Sequence, residues 1–309
     1  MKPIASLLCL FLPLLTLRAA DPQVTGTNAA PTPTPQPPMT MIDGPGNTQI
    51  IHDLEIARVG DSPILVDIAY LKTPSPTPRP AILIVHGGGW SGGSKSLNLN
   101  WAINGYFVYS VAYRLDGVAK WPAQIEDCKL ALRWLRANAA KYNINPDKIG
   151  VTGHSAGGHL VCCLATMTDP KYDVGDFPGV SSAVQAVVDM AGPSDLTTFF
   201  KSQPGYTKGL FGQDGLDHPE LVADASPVNH VKPGLPPFFV VHGDADKSVP
   251  ISQAEEMVAA LKKAGDSVQY VVDHNGGHSL GGLKTDAPTQ PTHAELETMI
   301  SAFFDKNLK

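Results

Sequence analysis

Apolar residues along this chain gather in two kinds of run that alternate. Short, nearly unbroken runs occupy positions 81–85, 106–111, 148–152, 183–190, 238–241 and 268–272, with glycine, proline or polar residues around them. Such runs predict strands buried on both faces, as in a parallel sheet. Between them, residues 125–142, 158–167, 252–264 and 292–304 predict helices. Strand and helix in turn predict an α/β domain: a doubly wound, mostly parallel sheet flanked by helices, with its ligand site at the carboxyl ends of the strands. Residues 50–58 and 63–71 precede this series and predict an antiparallel edge pair, followed by a proline-rich loop over 73–80. Residues 195–235 contain no clear strand but hold Phe199, Phe200, Tyr206 and Phe211. They read as a small lid segment over the site, or as surface structure whose aromatics pack on the core.

The first residues have a different pattern. Lys2, an apolar stretch over 4–17 and small Ala19-Ala20 predict a signal peptide over 1–20, too short for a membrane span. Residues 21–41 follow as a Pro/Thr-rich disordered linker, because proline at the density of 31–38 supplies no donors for a ladder. That leaves 42–309 of the 309 residues as one domain, in an exported, secreted or periplasmic protein. Net charge is −6, and losing residues 1–20 removes Lys2 and Arg18 and leaves −8. A negative balance speaks against nucleic acid and against an anionic membrane surface as partners, and tolerates a neutral polysaccharide or a small ester. Of the cysteines, Cys9 leaves with the signal, and Cys128, Cys162 and Cys163 remain as candidates for buried packing or for a pairing through Cys128. Neither H-E-x-x-H nor C-x-x-C occurs, so no metal or cofactor is expected.

The chemistry concentrates in Gly153-His154-Ser155-Ala156-Gly157, placed between a predicted strand and a predicted helix. G-x-S-x-G in that context is a sharp turn that lifts a serine hydroxyl out of the sheet. Only small neighbours let such a turn close, and the N–H of the residue after the serine points from a helix start, where partial positive charge collects. Ser155 is therefore a candidate nucleophile and Ala156 a candidate oxyanion donor. His86-Gly87-Gly88-Gly89-Trp90 ends the 81–85 strand, and its bare glycines can aim N–H groups at an oxyanion. Gly88 and Gly89 are candidate oxyanion-hole residues and Trp90 a candidate substrate-lining or core residue. His86 precedes the serine, which is the wrong order for the catalytic base of this architecture, and reads as a loop brace. His159, one turn past Ser155, reads as a packed or bridging side chain. A late strand, 238–241, ends in His242-Gly243-Asp244-Ala245-Asp246, with two competing acids. His278, in the loop Asn275-Gly276-Gly277-His278, can reach back to the serine. His274 lies too close to the strand end, and His293 lies in a helix. Serine, acid and histidine thus stand in the order this chemistry needs, with the imidazole taking the serine proton and the carboxylate holding the imidazole tautomer.

These segments together resemble the α/β-hydrolase fold esterases of the hormone-sensitive-lipase-like and acetyl-xylan or feruloyl esterase-like group. The resemblance runs from about 81 to 278. It rests on His86-Gly87-Gly88-Gly89-Trp90, Tyr113-Arg114, Trp121-Pro122-Ala123-Gln124-Ile125-Glu126-Asp127, Asn143-Ile144-Asn145-Pro146-Asp147, the serine turn, Ala225-Ser226-Pro227 and His242-Gly243-x-x-Asp246-x-x-Val249-Pro250. It implies Asp246 rather than Asp244 as the acid. Tyr113-Arg114 is followed by Leu115-Asp116-Gly117 rather than Ala-Pro, which with the small lid favours the carbohydrate-esterase side. The expected function is a serine esterase that forms an acyl-enzyme with short-chain acyl esters, acetyl or feruloyl groups on plant polysaccharide included. An amide or peptide hydrolase using the same triad, and a non-catalytic binding protein of this fold, are the alternatives.

Overall fold

The structure, a computed structural model, describes residues 38–280 and 288–309. The expected signal peptide, Cys9 and all but the end of the expected linker lie outside them. Nine strands form one sheet: β1 (Thr40–Gly44), β2 (Thr48–Val59), β3 (Ser62–Leu71), β4 (Arg79–Val85), β5 (Phe107–Ala112), β6 (Ile144–His154), β7 (Ala186–Met190), β8 (Phe238–Gly243) and β9 (Val268–Asp273). The helices are α1 (Leu99–Ile103), α2 (Ala123–Ala137), α3 (Ala139–Tyr142), α4 (Ala156–Thr166), α5 (Leu196–Ser202), α6 (Gly205–Phe211), α7 (Asp214–Asp217), α8 (Pro219–Asp224), α9 (Ser252–Ala264) and α10 (His293–Leu308). The sheet order is β1-β2-β3-β5-β4-β6-β7-β8-β9. Strands β4 to β9 run parallel to one another, and β1, β2 and β3 extend the sheet as antiparallel strands. This is the α/β-hydrolase fold.

Side chains alternate across the parallel strands into two cores. Leu83, Tyr109, Val151, Val187 and Val240 pack with α2, α4 and α9. Ile82, Val108, Val188, Phe239 and Val241 pack with α1 and α10. Burial on both faces is why these strands read as continuous apolar runs. β4 lies between β5 and β6, with Val85 opposite Gly153. The chain order reverses there, so the loops leaving β4 and β6 meet at their carboxyl ends and leave a crevice for a ligand.

Four expectations change. The edge of the sheet is β1 rather than the pair now seen as β2 and β3, so the last residues assigned to the linker, Thr40 and Met41, belong to the sheet. β1 is exposed along most of its length, so no burial pattern marks it. The predicted helix over 125–142 breaks at Asn138 into α2 and α3. The short α1 is an element the pattern did not predict; Asn98 caps it by accepting from the Asn100 and Trp101 N–H groups. The lid segment is four short helices, α5 to α8, and joins both readings: Phe199, Phe200 and Phe211 are buried, whereas Tyr206 is exposed. Cys128, Cys162 and Cys163 are buried free thiols. No helix of the described residues is long and apolar enough to cross a membrane.

Candidate active site

Ser155 sits between β6 and α4 at φ 57°, ψ −122°, a conformation costly for a residue with a side chain. The surroundings hold it there. Its N–H donates to the Met190 carbonyl at 2.8 Å. A Cβ at Gly153 would collide with the Gly157 carbonyl, and one at Gly157 would collide with the Val85 carbonyl. Small residues at these positions are thus a packing requirement of the elbow, which presses β6 and α4 against the end of β4. Ala156 is the first residue of α4, so its N–H has no acceptor within the helix and carries the positive end of the dipole.

Three predicted side chains form one hydrogen-bonded line. The Ser155 hydroxyl lies 2.8 Å from His278 Nε2, and His278 Nδ1 lies 2.7 Å from Asp246 Oδ2. With Nδ1–H donating to the carboxylate, Nε2 is left to accept from the serine. Asp246 has a side chain with no exposure, and its Oδ1 accepts the Ser248 N–H at 2.8 Å and the Val249 N–H at 3.0 Å. His242 approaches Oδ2 at 3.3 Å while donating from Nε2 to the Val249 carbonyl at 2.9 Å. Burial pushes the Asp246 carboxyl up, but the hydrogen bonds from His242, His278 and the Val249 N–H outweigh it and hold the group well below the usual carboxylate range. Asp244 faces the other way. It pairs with His274 Nδ1 at 2.9 Å and accepts the Asn275 N–H, away from Ser155. The geometry therefore selects Asp246 of the two acids.

The glycine loop after β4 bends through left-handed backbone at Gly88 (φ 111°), Gly89 (φ 59°) and Trp90 (φ 58°). Gly89 and Ala156 line a small pocket together with Ser155 and His278. Gly88 does not line it; its carbonyl accepts the Ser91 and Gly92 N–H groups and shapes the loop instead. His86 braces this loop as expected. Its Nδ1 bonds the Gly87 carbonyl at 2.8 Å, its ring stacks on Tyr113, and the Tyr113 hydroxyl donates to its carbonyl. Trp90 is both core and pocket wall: its side chain is 1% exposed, yet it lines the pocket. Its Nε1 donates to His159 Nδ1 at 3.2 Å, and His159 Nε2 donates to the Ala225 carbonyl at 2.8 Å. Both ring nitrogens of His159 are thus committed, and burial pushes its pKa down to about 4. It bridges the oxyanion loop to the segment before β8 as a neutral imidazole.

Phe199 and Tyr206, two of the aromatics of the expected lid segment, close the pocket from that side. Sequence reasoning missed Pro193 and Val249, which close it from the loops after β7 and β8. The cavity they leave is only about 20 Å³. Tyr206 lies where any side chain at Gly89 would run into its ring. Asp189, under the elbow, accepts the Gly192 N–H, and burial raises its pKa to about 6. Arg114 and Asp127, quoted above only for resemblance, form a two-pronged ion pair with contacts of 2.8 to 3.1 Å that fastens the loop after β5 to α2. The spacing Asp246-x-x-Val249 is the signal for the acid's donors, since a loop that returns in three residues can turn its N–H groups onto the carboxylate.

With this geometry in hand, comparison with known proteins places the chain. The BD-FAE family model matches residues 66–261, more than half of the sequence. The chain belongs to the BD-FAE family of α/β-hydrolase esterases. Among curated proteins it is 34% identical over 248 residues to Esterase LipC of Mycobacterium tuberculosis, covering 75% of this chain and 61% of that protein. The chain thus spans less than two thirds of that relative's length. Among solved structures, a truncated carbohydrate esterase from gut microbiota superposes with TM-score 0.70 at 29% identity, covering 83% of this chain and 95% of that one. An esterase of Thermogutta terrifontis with propionate bound superposes with TM-score 0.70 at 25% identity, covering 85% and 94%.

Proposed function

We propose that this BD-FAE family member is a serine carboxylic ester hydrolase that works through an acyl-enzyme. The observation that carries the reading is the continuous line Ser155–His278–Asp246 ending at a pocket walled by Gly89 and Ala156. Ser155 Oγ attacks the ester carbonyl carbon as its proton passes to His278 Nε2. The carbonyl π electrons move to oxygen, and the N–H groups of Ala156 and Gly89 receive the charge. Asp246, kept ionised by its donors, fixes the His278 tautomer and stabilises the imidazolium. His278 then protonates the departing alcohol, and a water activated by the same imidazole releases the acid and restores the serine. Ser155→Ala, which fits an elbow already made of small residues, is expected to lower kcat on 4-nitrophenyl acetate on the order of a million-fold, as loss of the nucleophile does in a serine protease. A purified variant hydrolysing the ester near the parent rate would refute the reading.

The acyl group we propose is acetyl or propionyl, with a neutral acetylated polysaccharide as the natural substrate class. The pocket of about 20 Å³ supports this, since it holds little more than one water-sized sphere and no aromatic acyl group such as feruloyl. The likeness to a carbohydrate esterase supports the polysaccharide side. Each added methylene contributes about 0.8 kcal/mol only where a pocket receives it, so kcat/KM should fall from acetyl to decanoyl esters. A steady rise with chain length would contradict the assignment. In a panel of acetylated xylan, feruloylated oligosaccharide and aminoacyl amides, release of acetate from the first is expected; preference for the amides would move the protein to the amidase reading. Export is proposed from Lys2, the apolar stretch over 4–17 and Ala19-Ala20, and mass spectrometry of the mature N-terminus tests it.

A further inference from the structure

A cavity far larger than the one at Ser155 lies elsewhere among the described residues. It lies on the other side of the His278 loop, between the sheet and helices α1 and α10, with a volume of about 590 Å³. That is within the range of roughly 300–1,000 Å³ typical of small-molecule sites. It shares no wall residue with the ester pocket. Its deep wall is apolar, from the ends of the parallel strands and from the helices: Ile84, Val241, Trp101, Leu296 and Ile300. One polar group interrupts it. Thr152, on β6, is 1% exposed, and its Oγ1 has no hydrogen-bond partner. A buried hydroxyl left unpaired costs the fold, so an orphan among these apolar side chains is a standing demand for a ligand atom that can accept or donate; the other polar residues of the lining are Ser96, Asn98, Asn100, His154, Ser279, His293 and Glu297. Among the described residues of the lining the ionisable side chains besides His154 are His293 and Glu297, which face each other at 3.6 Å.

We propose that this cavity is a second binding site, for a neutral alcohol with an apolar body. The hydroxyl of such a molecule pairs with Thr152 Oγ1, and its hydrocarbon covers the aliphatic and indole wall. Among the described residues the wall offers a carboxylate or a phosphate no lysine or arginine, and a pure hydrocarbon leaves Thr152 unpaired. The site also adjoins the catalytic line. His154 forms part of the cavity wall, directly precedes Ser155, and bonds the His278 carbonyl through Nε2 at 2.5 Å. An occupant would press on the side chain that holds the loop carrying His278. The proposal does not rest on the ester-hydrolase reading, and binding tests it without any turnover.

The experiment is a two-by-two cycle on the full chain, with benzyl alcohol and toluene as probes and the protein as parent or Thr152→Val. Dissociation constants come from protein NMR titration. Valine keeps the shape of threonine and removes the hydroxyl, and Thr152 lines this cavity but not the ester pocket. The parent is expected to bind benzyl alcohol saturably and roughly threefold to tenfold more tightly than toluene, the yield of one net hydrogen bond. Thr152→Val is expected to abolish that preference, weakening the alcohol and leaving toluene equal or tighter. Removing an orphan hydroxyl should also leave the melting temperature of the variant equal or raised, so that folding does not confound the cycle. No saturable binding by the parent, equal affinities for the two probes, or a preference that survives in Thr152→Val would each overturn the proposal.

Discussion

Two carboxylate–imidazole pairs stand side by side on the loops that leave β8 and β9. Asp246 pairs with His278 at 2.7 Å, and Asp244 with His274 at 2.9 Å. The residue types are the same, the distances nearly so, and the loops identical. Exposure separates them: the side chains of Asp246 and His278 are 0% and 26% exposed, those of Asp244 and His274 40% and 65%. Water competes for every lone pair of the outer pair and screens its charge. The inner carboxylate is shielded and held by two backbone N–H groups and two imidazoles, so its charge acts at full strength on one ring. A carboxylate beside a histidine is thus common chemistry; what distinguishes the inner pair is a dry, fully donated acid and a serine on the far nitrogen.

The largest test of that contrast is catalytic. Asp246→Asn is expected to lower kcat on the order of ten-thousand-fold, the loss seen when a triad acid can no longer hold the useful tautomer. Asp244→Asn should change kcat on the same acetyl ester by less than about twofold, as expected for an exposed pair remote from the serine. Equal losses in the two variants would erase the distinction.

Stability gives the next largest difference. Asp246→Ala strips an acceptor from buried donors and is expected to cost about 3 kcal/mol in urea unfolding. Asp244→Ala, at an exposed pair, should cost less than about 1 kcal/mol. The sign of the pH effect follows from the depressed carboxyl of Asp246. Its stabilisation is present in full above the ordinary carboxylate pKa of about 4 and is lost as pH falls from there toward the folded-state value. The melting-temperature gap between parent and Asp246→Asn should therefore hold steady from about pH 5 to 8 and narrow below about pH 4. A gap that instead widens on acidification would mean that Asp246 is protonated in the native protein. The smallest effect belongs to the outer imidazole: His274→Ala should leave both melting temperature and kcat within error, and a marked loss would show that the outer pair supports the His278 loop.

Much of this is legible in the sequence alone. The six parallel strands, the helices α4 and α9, and Ser155 and His278 follow from apolar period, glycine placement and order, because burial on two faces and a steric elbow each leave a local mark. The elements that went unseen carry no such mark. β1 is exposed along most of its length, α1 is held by one asparagine cap, and the break at Asn138 interrupts an otherwise continuous helical pattern. The site was legible in part for the same reason. Glycine and serine report their own backbone, whereas the aromatics of the lid segment fitted two readings, pocket wall or core, and nothing local marked Pro193 in the loop after β7.

The sequence by itself determined the parallel core, the elbow and the order of nucleophile, acid and base, since each is a constraint between near neighbours. Only the tertiary structure decided which of two equivalent acids is dry, that Trp90 and His159 are spent on each other, that the ester pocket is closed to about 20 Å³, and that an unpaired Thr152 hydroxyl lines a larger cavity behind it. These are matters of burial and of partners drawn from distant segments, and no local pattern of residues encodes them.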